Sequence, residues 1–333
     1  MTSRFTSSSE KSLAMSQDGN DNLPSVQRDH VTVMLCTFNG ERFLAEQLDS
    51  IAGQTHARWS VVVSDDGSSD GTIDILRDYQ TRWGTDRLNI VSGPRKGFAK
   101  NFMSVTCGLE LASDYYAWGD QDDMWHENKI EKALEWIKTV PDNVPALYCG
   151  RTETVTVDGL SIGRSPLFGR PPSFSNSLVQ SIAGGNTMVF NRAALKILKE
   201  AGNDFPIVSH DWWAYLVVCG VGGIVHYDEN PYVRYRQHGN NLVGSNTGFF
   251  SRLKRMRMIL SGRFCIWNQQ NIAALESIKT RLTNENQMKL RDFKQARTGN
   301  VVKRFVYLKR SGVYRQTRFG SCALLFAVLC NAI

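Results

Sequence analysis

Three carboxylates fall within four residues, Asp120, Asp122 and Asp123, in the stretch Trp118-Gly-Asp-Gln-Asp-Asp-Met-Trp125 that closes an apolar run. Like charges this close repel one another unless a cation or solvent relieves them. Their hard oxygen donors suit Mg²⁺ or Mn²⁺, which can bridge to a diphosphate and neutralise the charge that builds on it as it leaves. The competing reading is an acidic solvated loop, against which the flanking Trp118 and Trp125 weigh. A second acidic group, Asp65-Asp66-Gly67-Ser68, also follows an apolar run. Carboxylates there can accept hydrogen bonds from base N–H groups or ribose hydroxyls, and glycine lets a ligand approach the backbone. The same residues would also serve as a turn with a helix cap. Gly184-Gly185-Asn186-Thr187 precedes another apolar run and can form either a backbone wall beside a ligand or a plain turn.

The elements that must hold these groups can be read from hydrophobic periodicity. Residues 31–36 form a short β-rich run, 37–40 a polar turn, and Leu44, Leu48 and Ile51 a helical face. Residues 59–63 repeat the strand, and Ile73, Leu76 and Tyr79 the helix. Further strands are expected at 88–91, 115–118, 146–149, 186–190 and 223–227, with helices near 101–111 and 128–138. This alternation implies a mainly parallel sheet covered on both faces, in which ligands bind at the carboxyl ends of the strands. The polar clusters at 37–40, 65–70 and 120–123 all fall at such ends, so three strand termini should converge on one crevice.

The 333-residue chain is 42% apolar, sufficient for one large domain with an appendage. Its seven cysteines are scattered, odd in number and never spaced C-x-x-C, which argues against a disulfide framework or zinc site and fits a reducing cytoplasm. Residues 1–29 are polar and lack the apolar stretch of a secretory signal, so a disordered tail is expected. The net charge of +7 conceals an asymmetry: residues 251–320 carry 17 Lys and Arg against 3 Asp and Glu, a surplus of +14 that leaves −7 on the rest. That region reads as helical, with Ile272, Leu275, Ile278 and Leu282 as an apolar stripe. Its charge suits nucleic acid or an anionic membrane surface. The apolar run 322–330 is too short to span a bilayer, which takes roughly 20 residues, and should pack on the protein or dip into a membrane surface.

Five motifs in order, Cys36-Thr-Phe-Asn-Gly40, Ser64-Asp-Asp-Gly-Ser-Ser-Asp70, Asp120-Gln-Asp-Asp123, His210-Asp-Trp-Trp213 and Tyr235-Arg-Gln-His-Gly-Asn-Asn241, resemble family 2 glycosyltransferases of the GT-A fold. The likeness runs from about residue 31 to 244, is strongest to bacterial rhamnosyltransferase-like enzymes of surface polysaccharide synthesis, and has a weaker echo at Ser311-Gly-Val-Tyr-Arg315. It implies an α/β domain over residues 30–248 and a basic helical region over 249–333. It implies that Thr37, Asn39, Asp65 and Asp66 hold the nucleoside, and that Asp122 and Asp123, with Asp120 as a third candidate, serve the metal and diphosphate. Pro94-Arg-Lys-Gly-Phe-Ala-Lys100-Asn101 resembles the family's segment lying close to the nucleotide, although a solvated loop and helix start would read the same way. Asp211 is implied as the base that takes the acceptor proton in an inverting displacement, with an N-cap for residues 212–218 as the alternative. Trp212 and Trp213 could then form a sugar platform, with Gly185 and Asn186 nearby. His238 could complete the metal shell, and Arg234 and Arg236 could counter phosphate charge.

The resulting expectation is a metal-dependent inverting transferase, using Mg²⁺ or Mn²⁺ and a nucleotide-diphosphate sugar such as dTDP-rhamnose. Its acceptor would be a saccharide or lipid-linked saccharide, and it would be cytoplasmic with a peripheral membrane contact. A nucleotidyltransferase would need a glycine- and basic-rich phosphate loop near the first strand, and Thr37-Phe-Asn-Gly-Glu41 is not one. A nucleic-acid-binding protein would need stacking platforms, yet only Phe264, Trp267 and Phe293 lie between residues 260 and 300. No nucleic-acid partner is expected.

Overall fold

The computed structural model describes residues 29–110, 112–238, 262–330 and 332–333. The expected tail therefore lies, but for residue 29, outside the described residues, as does the segment from Gly239 to residue 261. The main sheet has seven strands in the order β10-β6-β9-β4-β1-β2-β3. These are β1 (Val31–Thr37), β2 (Trp59–Asp65), β3 (Leu88–Ser92), β4 (Tyr115–Asp120), β6 (Ala146–Gly150), β9 (Val189–Asn191) and β10 (Ile224–Asp228). Four strands, β4, β1, β2 and β3, run parallel, and β9 is antiparallel to both β4 and β6.

Two-sided burial explains why β1 is apolar throughout: Val31, Val33 and Leu35 enter one core while Met34 and Cys36 enter the other. The first core is closed by α1 (Leu44–Ala52), α2 (Thr72–Trp83) and α4 (Lys129–Ile137) through Leu48, Leu76 and Ile130. The second is closed by α3 (Phe98–Gly108), α6 (Arg192–Ala201) and α7 (His210–Gly220) through Phe102, Leu198 and Trp213, together with the one-turn helix α5 (Phe174–Ser177). The expected strand at 186–190 is shorter and later. Gly185–Thr187 instead forms a 3-10 turn, because Thr187 bonds back to the Gly184 carbonyl through both its N–H, at 3.1 Å, and its Oγ1, at 2.9 Å.

A second sheet, not anticipated from periodicity, has the order β5-β11-β7-β8, built from β5 (Met124–Trp125), β7 (Glu153–Val155), β8 (Ser161–Arg164) and β11 (Val233–Arg236). The C-terminal part is helical, as expected: α8 (Arg263–Ser277), α9 (Asn284–Gln295), α10 (Val301–Ser311) and α11 (Arg318–Leu329). The stripe Ile272, Leu275, Ile278 and Leu282 is buried in the second core. Asn286 Nδ2 donates to the Cys219 and Gly220 carbonyls at 3.0 and 2.9 Å, satisfying the end of α7 and tying α9 to it.

Strand register sets the crevice. Thr37 pairs with Asp65 across β1 and β2, and Cys36 with Asp120 across β1 and β4, so the three polar clusters end at one level. Buried Asn101 locks this edge from α3: its Oδ1 accepts from Ser64 Oγ at 2.6 Å and its Nδ2 donates to the Ser64 carbonyl at 2.9 Å. Replacing Asn101 with Ala removes both of these bonds and leaves the buried Ser64 hydroxyl without its Asn101 acceptor. Asn101→Ala is expected to lower unfolding free energy by about 1–3 kcal/mol, read as an earlier urea midpoint with an unchanged slope.

Candidate active site

The acidic stretch after β4 is the centre of the site. Asp120 ends the strand and is partly buried, while Asp123 is wholly enclosed. Burial, then the neighbouring charges of Asp122 and Asp211, push the Asp120 carboxyl up to about 7. Burial, then Asp122 and Asp120, raise Asp123 well above the usual carboxylate range, against a 2.5 Å hydrogen bond from Asn186 Nδ2 to its Oδ2. Its other oxygen, Oδ1, has no hydrogen-bond partner among the described residues. Asp122 is more open, with a fifth of its side chain exposed, and its Oδ2 lies 2.7 Å from His238 Nε2.

His238 reaches this point because β11 pairs antiparallel with β5, the strand that directly follows the acidic stretch. The ladder continues past its last pair, Arg234 with Met124, into a bond from Arg236 Nε to the Asp122 carbonyl at 3.2 Å. Phe43 stacks on the His238 ring at 5.2 Å between centroids and fixes its plane.

Asp211 is near enough for its charge to act on Asp120. It lies in the first turn of α7, where Ser209, not Asp211, holds the N-cap position. Its Oδ1 accepts from Trp212 N at 2.7 Å, and a carboxylate in a helix's first turn is favoured by the helix dipole. Burial raises its pKa, opposed by hydrogen bonds from Ser209, Trp212 N–H and Gly185 N–H. Gly185 is required at close quarters: a Cβ there would stand 2.1 Å from His210 Nε2. His210, which sequence analysis left without a role, is enclosed and stacked on Phe102 at 3.9 Å with Trp118 edge-on at 4.8 Å. Burial lowers its pKa to about 3, so it is a neutral, rigid wall behind Asp211.

The loops that follow β1 and β2 are stitched together by side-chain hydrogen bonds. Asp65 accepts from Gly67 N, Ser68 N and Ser68 Oγ, and from Thr37 Oγ1 at 2.8 Å. Asp66 accepts from Arg95 N at 2.6 Å and Gly97 N at 2.8 Å, fastening the loop 94–97. Asn39, in the left-handed region at φ 50°, accepts from Ser69 N at 2.8 Å. Gln121 spans from the acidic stretch to Phe38, receiving its N–H at 2.8 Å and donating to its carbonyl at 2.9 Å.

Several of the expected site residues have other partners in the fold. Trp212 and Trp213 are 6% and 0% exposed: the one donates to the Ser177 carbonyl at 2.6 Å and the other packs edge-on to Phe205, so no sugar platform is formed. Lys100 donates to the Asn203 and Phe205 carbonyls, and Asn101 is bonded to Ser64. Arg234 is directed to Glu153 at 3.7 Å and to the Gly159 carbonyl. Arg236 is enclosed and bonded to Glu46, at 2.5 Å, and to the Val157 carbonyl. Both guanidiniums brace the second sheet, because residues two apart on β11 share one face.

Sequence analysis also missed Lys129. It opens α4, is 1% exposed, and its ammonium lies 3.1 Å from the centre of the Trp125 ring with no hydrogen-bond partner among the described residues. Burial lowers its pKa, opposed first by Asp123 and then by Asp120. A cation over a desolvated indole is stabilised by about 2 kcal/mol, and the charges of Asp123 and Asp120 favour the ammonium form against burial. Its one legible signal is its place four residues after Trp125, on the helix that the acidic stretch feeds.

The carboxylate and imidazole donors fit a divalent cation, and the orphaned Asp123 oxygen marks unmet polar capacity there. Among the described residues no three His, Cys, Asp or Glu side chains form a preformed cage. One or two protein carboxylates are the usual complement when phosphates supply the other ligands of Mg²⁺.

Comparison with known proteins agrees with this architecture. The family model described as glycosyl transferase family 2 matches residues 32–198. A dTDP-rhamnosyl transferase, RfbG of Shigella flexneri, is 30% identical over 242 residues, covering 68% of this chain and 78% of its own. An uncharacterised glycosyltransferase of Haemophilus influenzae is 26% identical over 219 residues, covering 63% and 66% of the two chains. The crystal structure of S. aureus TarS residues 1–349 with UDP-GlcNAc superposes with a TM-score of 0.51 at 15% identity, over 85% of this chain and 89% of that one, a likeness of fold. The fold is therefore GT-A, as expected.

Removing the buried cation gives a test with a definite sign. At pH 6 the Asp120 carboxyl, pushed up to about 7, can take a proton and needs little compensation; at pH 8 it loses that option. Lys129→Met is therefore expected to destabilise the metal-free protein more at pH 8 than at pH 6 in denaturant titrations. An equal or reversed difference would contradict the counter-charge role.

Proposed function

Because the chain belongs to glycosyl transferase family 2, we propose that it moves L-rhamnose from dTDP-rhamnose to a hydroxyl of a saccharide or lipid-linked saccharide, with inversion at the anomeric carbon. Similarity to the Shigella dTDP-rhamnosyl transferase supports the donor, and the surface-polysaccharide setting on the cytoplasmic side is part of the same reading. Family membership supports glycosyl rather than nucleotidyl transfer.

The observation that carries the proposal is the meeting of Asp211 with the acidic stretch after β4, close enough for its charge to raise Asp120. On this reading the loops at Asp65 and Asp66 line the nucleoside, and Asp122 with His238 faces the diphosphate. These two residues would hold Mg²⁺ or Mn²⁺, which supplies Lewis-acid stabilisation of the departing diphosphate. Asp211 takes the proton of the acceptor hydroxyl as that oxygen bonds to the anomeric carbon, while the carbon–oxygen bond to the diphosphate breaks. Its raised pKa makes it a stronger base than an exposed carboxylate. Asn186 and Gly185 keep Asp123 and Asp211 in register, and no covalent sugar–enzyme intermediate forms.

Two measurements test this. Calorimetry with a panel of nucleotide sugars is expected to show dTDP-rhamnose binding that Mn²⁺ strengthens, an enhancement lost in Asp122→Ala; binding that Mn²⁺ leaves unchanged in both proteins would contradict the site. Asp211→Asn is expected to lower kcat by about 10²–10⁴-fold while donor affinity stays within twofold, and retained turnover would remove Asp211 as the base.

The protonation state of Asp120 adds a pH dependence. With a folded pKa near 7, against 3.8 for the ordinary group, it holds a proton that the unfolded chain releases. Its contribution to stability is thus present at low pH and is lost as pH rises through 7. A cation at this site competes with that proton. Thermal stabilisation by Mn²⁺ is expected to be larger at pH 8 than at pH 6, and equal stabilisation at both would contradict binding beside Asp120.

A further inference from the structure

The helices α10 and α11 end the chain on a surface the transferase chemistry does not use. Of α10 only Leu308 and Ser311 are buried, and of α11 only Leu324, Ala327 and Val328. The apolar side chains left outside are not scattered. On α11, Phe319, Cys322, Phe326 and Leu329 are all exposed and follow the i, i+3, i+7, i+10 spacing of one helical face. Val302 and Val306 repeat the pattern at i, i+4 on α10, with Val302 71% exposed. Arg304 Nη1 donates to the Val328 carbonyl at 3.1 Å, joining the two helices.

Charge identifies what meets this face. From residue 293 to 333 the chain holds eight Lys and Arg and no Asp or Glu. Lys303, Lys309 and Arg318 are exposed on the same two helices as the apolar stripe. A two-fold contact with a second copy would set this cationic surface against itself. Nucleic acid offers phosphates but nothing for a stripe of Val, Leu and Phe. A bilayer interface with anionic headgroups accepts both the apolar face and the flanking cations.

We propose that α10 and α11 form a docking surface for an anionic lipid bilayer, with the stripe of Phe319, Cys322, Phe326 and Leu329 entering the acyl boundary and the lysines meeting headgroup phosphates. The helices lie in the membrane plane. Among the described residues no helix is long and apolar enough to cross it, and the 12 residues of α11 extend only about 18 Å at 1.5 Å per residue. The inference is independent of the donor sugar and of the metal.

The test is flotation of the full chain with vesicles containing roughly one-third phosphatidylglycerol in phosphatidylcholine, against phosphatidylcholine alone. Wild-type protein is expected to float with the anionic vesicles and at least tenfold less with the neutral ones. Phe319→Ser with Phe326→Ser, both exposed positions, should cut partitioning about tenfold without moving the thermal midpoint. Lys303→Glu with Lys309→Glu should do the same and flatten the salt dependence. Vesicle binding unchanged in both double variants would overturn the proposal. So would wild-type protein that ignores anionic vesicles, or that sediments as a dimer which the Phe double variant converts to monomer.

Discussion

The site depends on keeping four carboxylates close together where water is scarce. Asp120, Asp122 and Asp123 end one strand, Asp211 opens a helix from the other half of the domain, and burial works against charge on Asp120, Asp123 and Asp211. Uncompensated, such a cluster protonates or drives its elements apart. The surrounding structure supplies compensation: Lys129 interacting with Asp123 and Asp120, Asn186 on Asp123, backbone N–H groups and the α7 dipole on Asp211, and the imidazole of His238 against Asp122. What is left over is a capacity for positive charge at the open edge, where a cation with a diphosphate would complete the balance.

Rigidity comes from two cores that share β1. One fixes the loops after β1 and β2 through α1 and α2; the other fixes α7 and the 3-10 turn that carry Asp211, Gly185 and Asn186. The small second sheet has a different task. Its strands are short, yet the pairing of β11 with β5 carries His238 across to Asp122, and buried Arg236 bonds both to the Asp122 carbonyl and to Glu46. Arginines that looked suited to phosphate thus act as braces for a strand that delivers an imidazole.

The central strands were legible because burial on both faces writes an unbroken apolar run, as in β1 and β2, and the acidic clusters were legible because they fall where those runs stop. The second sheet was not, since strands of two to four residues have no periodicity to read. Lys129 was hidden for a related reason: on an amphipathic helix a lysine is taken for the solvent face, and only the fold turns that position toward Asp123. Trp212 and Trp213 misled in the opposite sense, because aromatics beside a candidate base suit a sugar surface, whereas α7 is buried on nearly all sides. Side-chain destinations that depend on contacts between distant segments, Lys100 to Asn203 or Arg236 to Glu46, leave no local trace.

The central claim is that the open edge of the carboxylate cluster, at Asp122 and His238, holds a divalent cation through the diphosphate of the donor. Phosphorus NMR of bound dTDP with substoichiometric Mn²⁺ tests it directly, because a paramagnetic ion on the diphosphate broadens both resonances. The account predicts strong broadening in the wild-type protein and its loss in Asp122→Asn with the nucleoside still bound. Broadening that persists in Asp122→Asn, or none in the wild type, would contradict it.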